Sequence, residues 1–300
     1  MGKGPAGSGE GRGRTRRLGI LMFGAFLAGL LVVGAAFLLP GGGNAPSPPL
    51  ATQPPAQTPQ AQPAQAMPQT PSRPLPRLAI VVDDLGYEPS RDAEWLKLPA
   101  RLTVAVIPFG PSSRKVAESA RARGWGVILH VPMEPESAAS DRTERFRIRR
   151  GMTAGEMESL LTRMTEEIPQ ATGASNHMGS AVTSDPDAMA IYASVLGKKG
   201  LYLLDSVTTP KSVAPEAARR AGIPSARRDV FLDADMSPAD MIRQWERALS
   251  IAREKGAAVL ICHGRSETLS MMAELIPRLK NENVQAVTLD ELLSATGTQG

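Results

Sequence analysis

From Arg77 onward the chain alternates short apolar runs with segments whose apolar residues recur every three or four positions. The runs LAIVV (78–82), LTVAVI (102–107), WGVILH (125–130), LYLLD (201–205), VFLD (230–233), AAVLICH (257–263) and VQAVTL (284–289) lack the polar alternation of a one-sided sheet. They predict strands buried on both faces. The intervening patterns predict helices over 89–97, 111–123, 153–168, 186–197, 212–221, 238–255 and 266–280. Start signals accompany several of them: TAGE at 153–156 has the form of a capping box, while DPDA and SPAD set an N-cap residue before a proline. Strand and helix in alternation imply parallel β-α units. Seven or eight such units in about 220 residues predict a closed or nearly closed (β/α) barrel, with an open doubly wound sheet as the alternative.

Before this domain the pattern is different. Residues 18–39, LGILMFGAFLAGLLVVGAAFLL, form one uncharged apolar run, long enough to cross a bilayer as a helix. It exceeds the core of a usual signal peptide and no small-x-small cleavage site follows it, so a signal anchor is expected, with a cleaved signal peptide as the alternative. Residues 40–76 are about one-third proline, filled in with Gln and Ala. Such a segment cannot bury enough surface to offset its ordering entropy, and it reads as a disordered tether. The expected organisation is a basic N-terminus (1–17), a transmembrane anchor (18–39), a linker (40–76), one catalytic-type domain (77–296) and a short tail (297–300).

Charge refines this picture. The formal net charge of +4 is the balance of Lys3, Arg12, Arg14, Arg16 and Arg17 against Glu10, all ahead of the apolar run, whereas residues 40–72 carry no charge. By the positive-inside rule the N-terminus stays in the cytoplasm and the domain is exported, which predicts a single-pass inner-membrane protein facing the periplasm. The remainder is neutral, so the basic pI near 9.4 gives no argument for nucleic acid as a partner. The lone Cys262 cannot form an internal disulfide and, with apolar neighbours, is expected in the core; Trp95 and Trp125 are expected there too.

The polar residues at predicted strand ends carry the candidate chemistry. Asp83 and Asp84 end the first strand, His130 the third, Asp205 and Asp233 two later ones, and His263 the AAVLICH strand; His177 opens NHMGS after a short strand. All three histidines of the chain thus fall on the face where parallel α/β folds bind ligands. Neutral imidazoles with a carboxylate suit a divalent metal such as zinc, and a second carboxylate can serve as general base.

The segments IVVDDLGY, LTVAVIPF, GWGVILHVPMEP, NHMGSAVTSD, LYLLDSVTT, DVFLD and VLICHGRSETL, in this order, resemble the divergent polysaccharide deacetylases, a branch of the glycoside hydrolase/deacetylase superfamily. The resemblance covers about residues 77–296 and implies a distorted (β/α) barrel. It also implies Asp83 as catalytic base, Asp84 as metal ligand, His130 as second ligand, and His263 as the group protonating the leaving amine. The third ligand is expected to be His177, with Glu134 as the alternative, because HVPME offers a glutamate where the orthodox enzymes carry a second histidine. Asn176, Asp205 and Asp233 are candidates for holding substrate. The implied activity is amide hydrolysis, dependent on a divalent metal of the zinc type, on an N-acetylated envelope polysaccharide such as peptidoglycan.

Two motifs of the orthodox enzymes are missing from the sequence: the arginine-proline-tyrosine loop that helps build the oxyanion hole, and the aspartate-tryptophan motif that tunes the late histidine. A non-catalytic module binding a glycan or an envelope-assembly partner is therefore the alternative. A glycosidase using Asp84 with Asp205 or Asp233 leaves the histidines unexplained. The segment RFRIRR (145–150) alternates charge with Phe146 and Ile148, which predicts an amphipathic strand or hairpin beside the cleft.

Overall fold

The computed structural model describes residues 74–137 and 143–296. The predicted N-terminus, anchor and tail, and all but the last three residues of the linker, lie outside the described residues. Among the described residues no helix is long and apolar enough to cross a membrane.

Nine strands form one sheet among the described residues: β1 (Arg77–Leu85), β2 (Thr103–Val106), β3 (Gly126–Met133), β4 (Gly173–Met178), β5 (Tyr202–Asp205), β6 (Ser225–Arg227), β7 (Val230–Phe231), β8 (Ala257–His263) and β9 (Gln285–Val287). Their order is β6-β5-β4-β3-β2-β1-β8-β7, with β9 also pairing β1, and every pairing is parallel. The two edge strands, β6 and β7, are consecutive in the chain. The barrel is therefore open by one seam, and the chain itself crosses it: Arg228 N–H donates to Asp205 O on one side and Asp229 N–H to Val259 O on the other.

Ten helices connect the strands: α1 (Pro89–Trp95), α2 (Ser113–Ala122), α3 (Ala154–Glu167), α4 (Ser180–Thr183), α5 (Pro186–Lys198), α6 (Ala214–Ala221), α7 (Pro238–Lys255), α8 (Ser266–Leu275), α9 (Leu279–Glu282) and α10 (Leu289–Thr296), counted among the described residues. The expected start signals operate. Thr153 and Glu156 form a reciprocal capping box, Asp185 accepts from two backbone N–H groups, and Ser237 accepts from Asp240 N–H.

The strands sort their side chains by twos. Leu78, Ile80 and Val82 of β1 pack with helix residues such as Val116 and Trp245, whereas Ala79 and Val81 join Ala105, Ile128, Leu204, Val259 and Ile261 in a second cluster lining the barrel interior. Leu292 of α10 belongs to that inner cluster, and Leu289 N–H donates to Thr103 Oγ1 at 2.8 Å, so α10 stops the end of the barrel where the strands begin. Trp95, Trp125 and Cys262 are buried, as their apolar contexts predict.

The structure departs from the sequence pattern at several places. The expected helix 266–280 breaks into α8, a 3₁₀ turn (Ile276–Arg278) and α9, because Pro277 has no N–H to donate and crowds the preceding turn. The segment RFRIRR forms no hairpin: Glu144–Phe146 is a 3₁₀ turn, and only Ile148 makes a bridge, to Met133. Its apolar residues point inward, with the Phe146 ring 4.3 Å from that of Phe109 and Ile148 fully buried. The short β6, and α10 with its Thr288–Glu291 reciprocal cap, were not expected.

Candidate metal centre and cleft

Two adjacent residues of a strand ordinarily face opposite sides of the sheet. Asp83 continues the inward row of Ala79 and Val81, so Asp84 would point at the helices. It does not, because the register of β1 with β2 slips between Val82 and Leu85 and Asp84 adopts φ 66°, in the left-handed region. Both carboxylates therefore reach the same end of the barrel. The turn that follows is held by buried Asp92, whose Oδ2 accepts from Gly86 N–H (2.9 Å), Glu88 N–H (3.3 Å) and Ser112 Oγ–H (2.6 Å).

The imidazoles arrive by register. His130 stands opposite Ser175, and Pro132 opposite His177, across the β3–β4 pair, so His130, Ser175 and His177 share the inward face. His130 Nδ1 lies 2.8 Å from Ser175 Oγ and His130 Nε2 lies 3.2 Å from Asp84 Oδ1; His177 Nδ1 lies 2.8 Å from the same oxygen. The two rings meet edge to face at 5.1 Å. His177 is aimed by a tight turn in which Met178 has φ 55° and Gly179 φ 90°; a Cβ at residue 179 would stand 2.6 Å from Met133 Cβ.

Burial, followed by the neighbouring His177 and His263, outweighs the Asp84 carboxylate and brings the pKa of His130 down to about 4, so this ring is neutral at physiological pH. Burial pushes Asp84 upward, but the imidazoles of His130 and His177 more than offset this and hold it well below the usual carboxylate range. In the tautomer with its proton on Nδ1, toward Ser175, the Nε2 lone pair of His130 faces an ionised oxygen, acceptor against acceptor. A cation held by these two groups would satisfy both. One donor atom from each of Asp84, His130 and His177 lies within 4.8 Å of the others, and two imidazoles with one carboxylate match the ligand preference of zinc. The residues fit a divalent metal.

Asp83 lies beneath this trio, buried, with Oδ2 3.7 Å from His130 Nε2 and Oδ1 without a hydrogen-bond partner among the described residues. Burial, then the carboxylates of Asp84 and Asp233, raise its pKa well above the ordinary value, and Arg228 opposes them. His263, whose Cα pairs with that of Asp83 across β1–β8, stands on the other side. Its Nδ1 lies 3.1 Å from Asp233 Oδ1, its backbone N–H donates to the same carboxylate, and Thr268 Oγ–H donates to Asp233 Oδ2 at 2.7 Å. Burial raises Asp233, yet the bonds from His263 and Thr268 bring it below its usual value. The Nε2 of His263 is left facing Asp84 Oδ2, 4.0 Å away. A cleft of about 410 Å³ opens above, lined by Asp84, Tyr87, Arg91, His177, His263 and Arg265 among others.

Not every residue expected here is present. Glu134, the alternative third ligand, instead accepts from Arg150 N–H at 2.9 Å, and His177 takes the place beside Asp84. Asn176 and Asp205 do not face the cleft: both fall on the opposite strand parity, are buried, and brace the frame. Asn176 accepts from Ser206 N–H and donates to Met178 O; Asp205 accepts from Val207 N–H. Asp233, expected to touch substrate, is fully buried against His263 and Thr268, so it positions the histidine. A carboxylate does therefore accompany the late histidine although the aspartate-tryptophan motif is missing. Ser175 and Asp92 were not anticipated; the inward parity of Ser175 opposite a histidine was the available signal.

An open parallel barrel with these groups at the carboxyl ends of its strands defines an α/β protein of the deacetylase type. The chain belongs to the divergent polysaccharide deacetylase family, whose profile, described as "Divergent polysaccharide deacetylase", matches residues 80–293. A protein of Haemophilus influenzae is 36% identical over 216 residues, 72% of this chain and 76% of its own. The Escherichia coli K12 protein YibQ is 35% identical over 203 residues, covering 68% of this chain and 63% of its own. Among solved structures, a protein from Agrobacterium tumefaciens C58 shares the fold with a TM-score of 0.70 at 23% identity, over 74% of this chain and 90% of that one.

Proposed function

We propose that this protein is a membrane-anchored, exported hydrolase that uses a divalent metal, zinc by its donor set, to remove N-acetyl groups from an envelope polysaccharide such as peptidoglycan. The observation that carries this reading is the convergence of three kinds of group at the end of the barrel where the cleft opens: the Asp84–His130–His177 trio, the buried Asp83, and His263 backed by Asp233. A cation held by the trio would supply Lewis acidity toward the acyl oxygen and the attacking water. Asp83 takes the proton of that water; its raised pKa makes it a stronger base than a solvated aspartate. His263, oriented through Nδ1 by Asp233, presents Nε2 to the departing amine and protonates it. The apolar run at 18–39 and the tether at 40–76 support placement in the inner membrane with the domain in the periplasm.

The missing arginine-proline-tyrosine loop favours a second reading, a module that binds the glycan without turning it over, since an oxyanion donor can be worth about 10² to 10³ in rate. The two readings part in one experiment. Full-length chain loaded with zinc is incubated with N-acetylated glycan oligomers, and free amine and acetate are measured for wild type and Asp83→Asn. Equimolar amine and acetate from the wild type, reduced about 10²-fold or more by the substitution, support the hydrolase. No release by metal-loaded wild type that still binds the oligomer sinks it and leaves the binding module.

A further inference from the structure

The seam where the barrel fails to close is filled by cations. Arg227 ends β6, Arg228 starts the crossing, and Arg247 and Lys255 reach in from α7, around a cavity of about 570 Å³ that Asp229 and Phe231 also line. Their counter-charges are few and already engaged. Asp229 holds Lys255 Nζ (3.3 Å) and accepts from Val259 N–H; the buried Asp205 sits 3.8 Å from Arg227 Nε. Arg247 is exposed and has no ion pair with a described residue.

Arg228 is the fixed member. Its Nε–H donates to Ser206 O (2.7 Å) and its Nη2–H to Val207 O (2.9 Å), while the guanidinium stacks 4.6 Å from the Phe231 ring. Val207 itself has φ 54°, a costly conformation for a β-branched residue that Arg228 helps to hold. Burial lowers the pKa of Arg228, and the like charges of Arg227 and Arg247 lower it further, against Asp205 and Asp83. Guanidinium groups crowded around a cavity repel one another until an anion enters; the forked N–H groups of Arg227 and Arg247 match the oxygens of phosphate or carboxylate, and Arg228, its Nε and Nη2 engaged, adds its charge and Nη1.

We propose that this seam is a binding site for an oxyanion, the phosphate or carboxylate of an anionic polymer, read chiefly by Arg227, Arg228 and Arg247. The same Phe231 ring that floors it stands 4.8 Å from the His263 ring, so an anion held here lies one aromatic side chain away from the candidate cleft. The site goes beyond the hydrolase reading and does not depend on it, because it is tested by binding without turnover.

Calorimetric titrations of full-length chain at low ionic strength, about 50 mM salt, with inorganic pyrophosphate and with a galacturonate disaccharide test it. The exposed pair Arg227→Ala/Arg247→Ala should weaken binding roughly tenfold or more, and Lys115→Ala, on the exposed face of α2, should leave it unchanged. Tighter pyrophosphate identifies phosphate as the source of the anion, and tighter uronate identifies carboxylate. Absence of binding by both probes, equal binding by the double variant, or equal loss in Lys115→Ala would each overturn the proposal.

Discussion

Replacing Ser175 by alanine removes one oxygen from the wall of the candidate metal centre and replaces none of the candidate ligands. In the native chain that oxygen lies 2.8 Å from His130 Nδ1, inside a pocket where both residues are buried. Without it, the Nδ1–H tautomer leaves a buried donor without a partner, at a cost of about 1–3 kcal/mol. The ring can escape by moving its proton to Nε2, where Asp84 Oδ1 accepts it at 3.2 Å. That escape removes the lone pair a metal needs. The full cost therefore falls on metal binding, and about 1–3 kcal/mol corresponds to roughly 5- to 150-fold in affinity, in line with the ~10- to 100-fold typical of partners behind a ligating histidine. Zinc affinity of full-length wild type and Ser175→Ala, measured by competition with a chromophoric chelator, reads this directly, and urea unfolding of the metal-free proteins separates any loss of stability. Affinity unchanged within about twofold while stability falls would refute the tautomer argument and reduce Ser175 to a packing role.

Other perturbations test the remaining parts. Asp83 has a folded-state pKa above its unfolded one, so its contribution favours the fold at acid pH and is lost as pH rises through the folded value; Asp83→Asn should therefore raise the melting temperature of the metal-free chain, more at pH 8 than at pH 4. A decrease at pH 8 would show that the buried carboxylate is satisfied in a way its surroundings do not indicate. Asp233→Asn weakens the support of His263 without touching the trio, so zinc affinity should hold while kcat for amine release falls about 10- to 100-fold at little changed KM. Equal loss of zinc would refute this division of labour. Gly179→Ala forces a Cβ to 2.6 Å from Met133 Cβ at φ 90°, and should cost about 2–4 kcal/mol of stability by urea unfolding and weaken zinc binding through His177; a neutral result would show that the NHMGS turn yields freely.

The alternation of apolar runs and helical patterns made the parallel barrel legible, since the runs show no period of their own but are too short for helices and recur between amphipathic helical segments. The strand ends also brought Asp83, Asp84, His130, His177 and His263 into view. What the linear pattern hid was parity. Asn176 and Asp205 sit at strand ends beside true cleft residues but one position out of phase, and only the register against β3 and β4 sorts them. Asp84 escapes the same rule through a positive φ that nothing short of the fold dictates for an aspartate. The Asp233–His263 pair joins residues thirty positions apart, one just past β7 and the other at the end of β8, too distant for a local motif to reveal. Residues 288–291, TLDE, did carry a capping-box pattern, which α10 uses.

The central place of β1 sets an order of events during synthesis. Arg77 pairs with Ala257, so the first strand of the domain waits for about 180 residues of further chain before its second long neighbour exists. At ~5–20 residues per second that is roughly 10–40 s with one flank of an apolar strand uncovered. Meanwhile β1 to β4 are contiguous in the sheet and already contain Asp84, His130 and His177, whereas Asp233 and His263 arrive only with the last third. The nascent chain thus completes its candidate metal-ligating trio before the half that carries His263, and carboxyl-terminal truncation before β8 would leave the trio without that histidine.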